Sequence, residues 1–258
     1  MKPTVVALTI VATLFQASPA LSQSDKPTVV LVHGAFADGS SWNSVIEILE
    51  KDGYPVVAVG NPLRSVKGDA EYVADVVVSV KSPVVLVDHS YGGSVNSEAA
   101  NGAKNVSALV YVAAFAPEAG ESASDLTGKF PGSTLGPALA APVAISGGGK
   151  DLYVLQSKFH DQFAADVSEA SARLMAATQR SVTEAALNDA SGQPAWKTIP
   201  AWFIYGGRDR NIPPQAHAFM AERARSRETV VIKGASHMVM VSNPRSVARL
   251  IEKAASAD

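Results

Sequence analysis

The sequence contains no cysteine. That excludes disulfide staples, a thiolate nucleophile and a lipid-modified cysteine anchor. It also lacks an excess of either charge: 22 Lys and Arg stand against 24 Asp and Glu, for a formal net charge of −2. Neither nucleic acid nor an anionic membrane is therefore an expected partner. No apolar run reaches the roughly 20 residues that a bilayer-spanning helix needs. The five histidines, at 33, 89, 160, 217 and 237, show no HxxxH spacing, so no metal site is expected. Gly147-Gly148-Gly149-Lys150 lacks the following Ser/Thr, the earlier Gly and the preceding strand of a phosphate loop, and reads as a flexible loop. No cofactor is implied. There is no internal repeat, and compositional bias is confined to the Ala/Gly/Pro-rich stretch Gly132–Gly149.

What is present is a chain of 258 residues with 47% hydrophobic side chains, enough for one large α/β domain with a buried core. Residues 1–22 read as a secretion signal. Lys2 gives a positive start, Thr4–Phe15 an apolar run, and Ala20-Leu21-Ser22 a small-x-small cleavage site. Cleavage after Ser22 is expected, with Ala20 as the alternative. The mature domain, 23–258, would then be periplasmic or secreted, with no membrane insertion.

Apolar, β-branched runs occur at Thr28–Val32, Val56–Val59, Val84–Val87, Ala108–Val112, Ala201–Tyr205 and Thr229–Ile232. Bounded by turn signals and apolar on both faces, they read as buried parallel strands. Helical segments lie between and after them: Ser41–Lys51, Asp69–Val80, Gly93–Ala100, Pro214–Ala224 and Pro244–Ala255. This alternation predicts a parallel sheet covered on both faces. The interval of about 116–198 breaks the rhythm. It predicts two helices, Asp151–Ala165 and Ser168–Gln179, and no core strand, and reads as a lid over a site. Within it, Phe159, Phe163 and Met175 read as packing, and His160 and Asp161 as a solvated helix face.

Four segments carry candidate chemistry. In Val87-Asp88-His89-Ser90-Tyr91-Gly92-Gly93 an apolar strand runs into a serine, and two glycines open a helix. A nucleophilic serine needs that tight turn to lift its hydroxyl clear of the sheet. Asp88 stands where the first Gly of G-x-S-x-G is expected, so the pentapeptide alone is a degraded match. The candidate base is His237, past the last strand. The candidate acid is Asp209, reached from the strand Ala201–Tyr205 through Gly206-Gly207-Arg208. The order Ser, Asp, His, each after a separate strand, distinguishes this arrangement from triads on other folds. After the first strand, the loop with Gly34 can turn an amide towards the nucleophile. The expected oxyanion donors are the N–H groups of Tyr91 and Ala35, with Phe36 as fallback. His33 and His89 read as braces for these loops.

HGAFADGSSW, VDHSYGG, YGGRDRNIPP and GASHMVMVSNP together resemble the lidded α/β-hydrolase superfamily. The resemblance is nearest to its small esterase-like branch, which includes plant methylesterases and hydroxynitrile lyases, and it covers nearly everything after the leader. It implies the α/β-hydrolase fold, the Ser90–His237–Asp209 triad and a two-amide oxyanion hole. The first strand follows the leader almost directly. The two antiparallel edge strands of larger members are therefore not expected, which leaves a six-stranded sheet.

The expected reaction is hydrolysis of a small carboxylic ester through an acyl-enzyme. Phe36, Trp42, Tyr91, Phe115 and Met238 suggest an apolar or aromatic substrate pocket, with Phe36, Phe115 and Met238 the leading contacts. Two alternatives keep the fold: a lyase or C–C hydrolase using the same residues as acid and base, or a non-catalytic binding homologue in which Asp88 has damaged the turn.

Overall fold

The computed structural model describes residues 26–257. The leader expected over residues 1–22 lies outside them. The core is one six-stranded sheet: β1 (Thr28–Val32), β2 (Val56–Val59), β3 (Val84–His89), β4 (Val106–Val112), β5 (Ala201–Gly206) and β6 (Glu228–Ile232). Its order is β2-β1-β3-β4-β5-β6, with every pairing parallel. All six expected strands are present. β3 runs two residues further than predicted, so Asp88 and His89 pair with Tyr111 and Val112 and carry the sheet up to Ser90.

The sheet persists because its central strands are apolar on both faces. Every residue of β1, β3 and β5 is buried. A fully buried Val, Leu or Ile contributes roughly 1.5–3 kcal/mol. The helices that cover the sheet are α1 (Asn43–Lys51), α2 (Val66–Ser79), α3 (Gly92–Ala99), α8 (Pro214–Arg223) and α10 (Pro244–Ala255), with the single turn α9 (Val239–Ser242) before the last. α1 packs on α10, and α2 packs on α3. α10 buries Val247, Ala248, Leu250, Ile251 and Ala254, the i, i+3, i+4, i+7 stripe of a helix lying on a core. α2 starts three residues earlier than expected, because the Ser65 hydroxyl caps it by accepting from the Gly68 amide.

The insertion between β4 and β5 holds α4 (Ala123–Lys129), α5 (Gln156–Phe163), α6 (Glu169–Thr178) and α7 (Glu184–Asn188). It also holds a separate antiparallel sheet of Val143–Ala144, Lys150–Leu152 and Val182–Thr183. None of these short strands joins the core sheet. The helix expected over Asp151–Ala165 begins only at Gln156. Asp151 is pinned in the small sheet by Arg64 (2.6 Å) and the Ser181 hydroxyl (2.8 Å), and Val154 binds the Gln179 side chain through both its N–H and C=O. These long-range bonds outweigh local helix propensity.

Four C-terminal strand ends converge on one rim. β1 leads to His33, β3 to Ser90, β5 to the Asp209 loop and β6 to the His237 loop. In open α/β sheets this is the rim where ligands bind.

Candidate active site

Ser90 sits between β3 and α3 with φ of 54°, in the left-handed region. For a residue with a side chain that conformation costs about 1–3 kcal/mol and persists only when its surroundings impose it. They do so here. The Ser90 carbonyl accepts from the amides of Gly93 (3.0 Å) and Phe115 (3.1 Å). Backbones crowd the turn so closely that a Cβ on Gly93 would fall 2.0 Å from the Phe115 carbonyl oxygen, and one on Gly34 would fall 2.6 Å from Ser90 Cβ. Glycine is required at both places by space.

Asp88, beside this turn, is fully buried. Its Oδ2 accepts from Asn96 Nδ2 (3.2 Å), while Oδ1 has no partner. Burial pushes its carboxyl well above the ordinary range, with Asn96 opposing weakly. The side chain is therefore held as a neutral acid. It leaves the turn intact: the strained φ and the helix opening at Gly92 are both present.

The candidate acid and the candidate base meet. His237 Nδ1–H donates to Asp209 Oδ2 at 2.6 Å, with both side chains fully buried. Asp209 Oδ1 accepts the amides of Asn211 (2.8 Å) and Ile212 (3.0 Å). Burial alone would raise the Asp209 carboxyl. The charge of His237 and hydrogen bonds from His217 and His237 outweigh it and hold the group well below the ordinary range. Asp209 is thus a fixed anion. His237 Nε2 makes no hydrogen bond, to Ser90 or to any other group, and contacts of this kind are often long before substrate is bound. Ser90 and His237 line the same cavity.

His89 donates from Nε2 to the His237 carbonyl (3.3 Å), and its ring lies 4.6 Å from that of His237. His33 donates to the Gly34 carbonyl (3.0 Å). Burial lowers the pKa of both, well below the ordinary value for His89, so they are neutral braces and not bases. The Phe36 amide is committed to the Arg180 carbonyl (3.0 Å). That leaves Ala35 and Tyr91 as the candidate oxyanion donors. The Tyr91 hydroxyl donates to Asp69 (2.9 Å), which anchors its backbone beside Ser90.

The shared cavity measures about 390 Å³. Around Ser90 and His237 it is walled by Phe36, Tyr91, Phe115, Phe163 and Ile212, and towards solvent by Ser124, Thr127, Glu184 and Asn188. Of the expected contacts, Phe36 and Phe115 line it. Met238 does not: it is fully buried outside the cavity lining, and Trp42 is likewise part of the core. In the insertion, Phe163 is more than packing, since it lines the cavity with its ring edge-on to His237 at 4.9 Å. His160 donates to the Val167 carbonyl (2.9 Å), and Asp161 is exposed. Two residues escaped sequence reasoning. Glu184 lies in a helix too short to show periodicity. His217 Nε2 approaches Asp209 Oδ2 at 3.1 Å from α8. Its signal was a lone imidazole on the helix face that buries Ala216, Met220 and Ala221; a buried polar group needs a partner.

Among the described residues, no group of three or more His, Asp or Glu is placed to hold a metal, and no helix is long and apolar enough to cross a membrane.

The fold recurs among solved structures. Polyneuridine aldehyde esterase superimposes with a TM-score of 0.77 at 20% identity, over 88% of this chain and 98% of that one. Among curated proteins, the alpha/beta hydrolase nvfD of Aspergillus novofumigatus is 26% identical over 89% of this chain and 97% of its own length. The probable hydrolase R7 of Phoma sp. is 32% identical over 40% of this chain, a match that spans about half (48%) of that protein. Residues 29–250 match the profile of the alpha/beta hydrolase family, and the chain belongs to that family.

Proposed function

We propose that this hydrolase cleaves a small carboxylic ester with an apolar or aromatic body, through an acyl-enzyme on Ser90. The observation that carries the reading is the Asp209–His237 contact of 2.6 Å, with His237 and Ser90 lining one apolar-walled cavity. His237 Nε2 takes the Ser90 proton as Oγ attacks the ester carbonyl. Asp209 holds the imidazole in the Nδ1–H tautomer and stabilises its protonated form. The amides of Ala35 and Tyr91 receive the oxyanion. The alcohol leaves with the proton from His237; water, deprotonated by the same imidazole, then releases the acid. The name of polyneuridine aldehyde esterase agrees with an ester substrate. The leader-like pattern of residues 1–22 supports export to the periplasm or the medium.

The test is a panel of acyl and aryl esters of graded size, run on the parent and on Ser90→Ala, beside a fluorophosphonate probe. Ester turnover, probe labelling at Ser90 and a fall of several orders of magnitude in the alanine variant are expected. An alanine variant with near-parental turnover would refute the assignment.

A further inference from the structure

His217 lies outside the three residues that carry the proposed chemistry, yet it touches one of them. It comes from α8, is fully buried, and stacks on Tyr205 with ring centroids 4.7 Å apart and planes at 18°. Its Nε2 is 3.1 Å from Asp209 Oδ2, the same oxygen that accepts His237 Nδ1–H at 2.6 Å. We propose that His217 is a positioning residue for the hydrolytic reaction, holding the Asp209 carboxylate so that Oδ2 serves His237. The inference rests on the ester-hydrolase reading for its kinetic consequences and on geometry for the rest.

Four donors surround the carboxylate. Two amides fix Oδ1, and two imidazoles share Oδ2. Because Asp209 is an anion, His217 Nε2 carries a proton and donates it to Oδ2. It does two things there. It fixes the carboxylate torsion, which the two amides on Oδ1 leave free to pivot. It also draws negative charge from the oxygen that faces His237, since a hydrogen bond to the charged form stabilises it. Without His217 that charge would fall more fully on His237, whose protonated form would be favoured.

Asp166 from the insertion also faces the His237 loop, through its bonds to the amide and hydroxyl of Ser236, and is the same in parent and variants. His237 faces His89 from the turn after β3 and Phe163 from α5. His217 faces Tyr205 from β5. His33 acts on His89 from beyond it. Burial lowers the pKa of His33, His89 and His217 and raises that of Tyr205, so all four are neutral. Arg208 and Arg210 flank Asp209 in sequence but are exposed, and Glu184 stands on the solvent side of the cavity.

Three variants test this. His217→Phe keeps a stacking ring and removes the donor. His217→Gln keeps an N–H able to reach Oδ2. His217→Asn, whose amide is shorter, stands in for Phe if that variant does not fold. Rates are normalised to sites titrated by a fluorophosphonate. In His217→Phe, kcat per titrated site should fall about tenfold. The midpoint of the acidic limb of the kcat/KM profile should rise by about half a pH unit or more. His217→Gln should recover most of both. A purely structural role would lower the number of titratable sites and leave the acidic limb in place; that result, or a Gln variant no better than Phe, overturns the proposal. The proton resonance of His237 Nδ1–H supplies a readout without substrate. It should differ between Phe and Gln variants, and an unchanged resonance in Phe also overturns the proposal. Failure of the ester reading would instead appear as a parent enzyme that neither turns over esters nor labels at Ser90.

Discussion

Asp166, in the insertion, accepts from both the amide (3.0 Å) and the hydroxyl of Ser236, the residue before His237. Four residues earlier, Gln162 donates to the carbonyl of Arg210 (2.9 Å) and to Asn211 Oδ1 (3.0 Å), directly after Asp209. One short stretch of the insertion therefore grips both the His237 loop and the Asp209 loop. Hydrogen bonds to a charged group contribute roughly 1.5–3 kcal/mol each. The segment over α5 behaves as a brace for the site, and access is left to the side formed by α4 and α7.

Hydrogen exchange should separate the two halves. Amides of α5 and of the Ser236–His237 loop are expected to exchange together and slowly, and those of α4 and α7 sooner. Asp166→Ala should bring exchange of the Ser236–His237 loop forward and lower kcat several-fold. Loop exchange that is indifferent to Asp166 would remove the brace.

Under the proposed mechanism, Asp209→Asn should lower kcat by about 10⁴-fold, the loss known for Ser-His-Asp enzymes. The mechanism is a tautomer change. An amide N–H facing His237 Nδ1 moves the imidazole proton to Nε2, the atom that must receive the Ser90 proton. The same N–H would oppose His217 Nε2–H, so Tm should fall as well. Steady-state kinetics and a thermal melt check both.

Asp88 carries a pH signature. In the unfolded chain it titrates near about 3.9, and in the folded protein well above that. Between the two values the folded state keeps a proton that the unfolded state has released. Stability from this group is therefore fully present below the lower value and is lost as pH rises towards the upper. Asp88→Asn, neutral in both states, removes that slope. Its Tm should exceed the parent's at about pH 8, with the gain fading towards about pH 4. An equal Tm at both ends would mean that Asp88 is ionised in the fold.

Gly93→Ala should cost about 3 kcal/mol and most of the activity. The added methyl would overlap the Phe115 carbonyl, and the Phe115 amide holds the Ser90 carbonyl at 3.1 Å. The strained turn would have to open. Denaturant midpoints and fluorophosphonate labelling rates report the two effects.

Much of this was legible in one dimension. Runs such as Thr28–Val32 and Val84–Val87 are apolar on both faces, a pattern that buried parallel strands produce. That Ser90, Asp209 and His237 share one rim was legible from order and placement, because a strand ending in a turn commits the next side chains to that rim. The insertion was less so. α4 and α7 are seven and five residues long, too short for a 3.6-residue period to declare itself. Asp151 reads as a helix start until Arg64, 87 positions away, claims its carboxylate. Met238 was misplaced for a related reason. It follows His237 directly, and a chain that turns one side chain to the cavity here sends the next into the core. His217 resembled any buried helix residue, since its partner is identified only when α8 is laid beside β5.

The two short helices on the solvent side of the cavity are closed by their own caps. Ser122 and Asp125 form a reciprocal box at the start of α4, and the Thr183 hydroxyl accepts from the Ala186 amide at the start of α7. Each stands without borrowing a bond from the Asp209 or His237 loops. Side chains such as Ser124, Thr127, Leu187 and Asn188 can therefore be exchanged while the reacting groups stay where they are. A lineage, or a combinatorial library confined to those positions, could explore new substrates without rebuilding the machinery beneath.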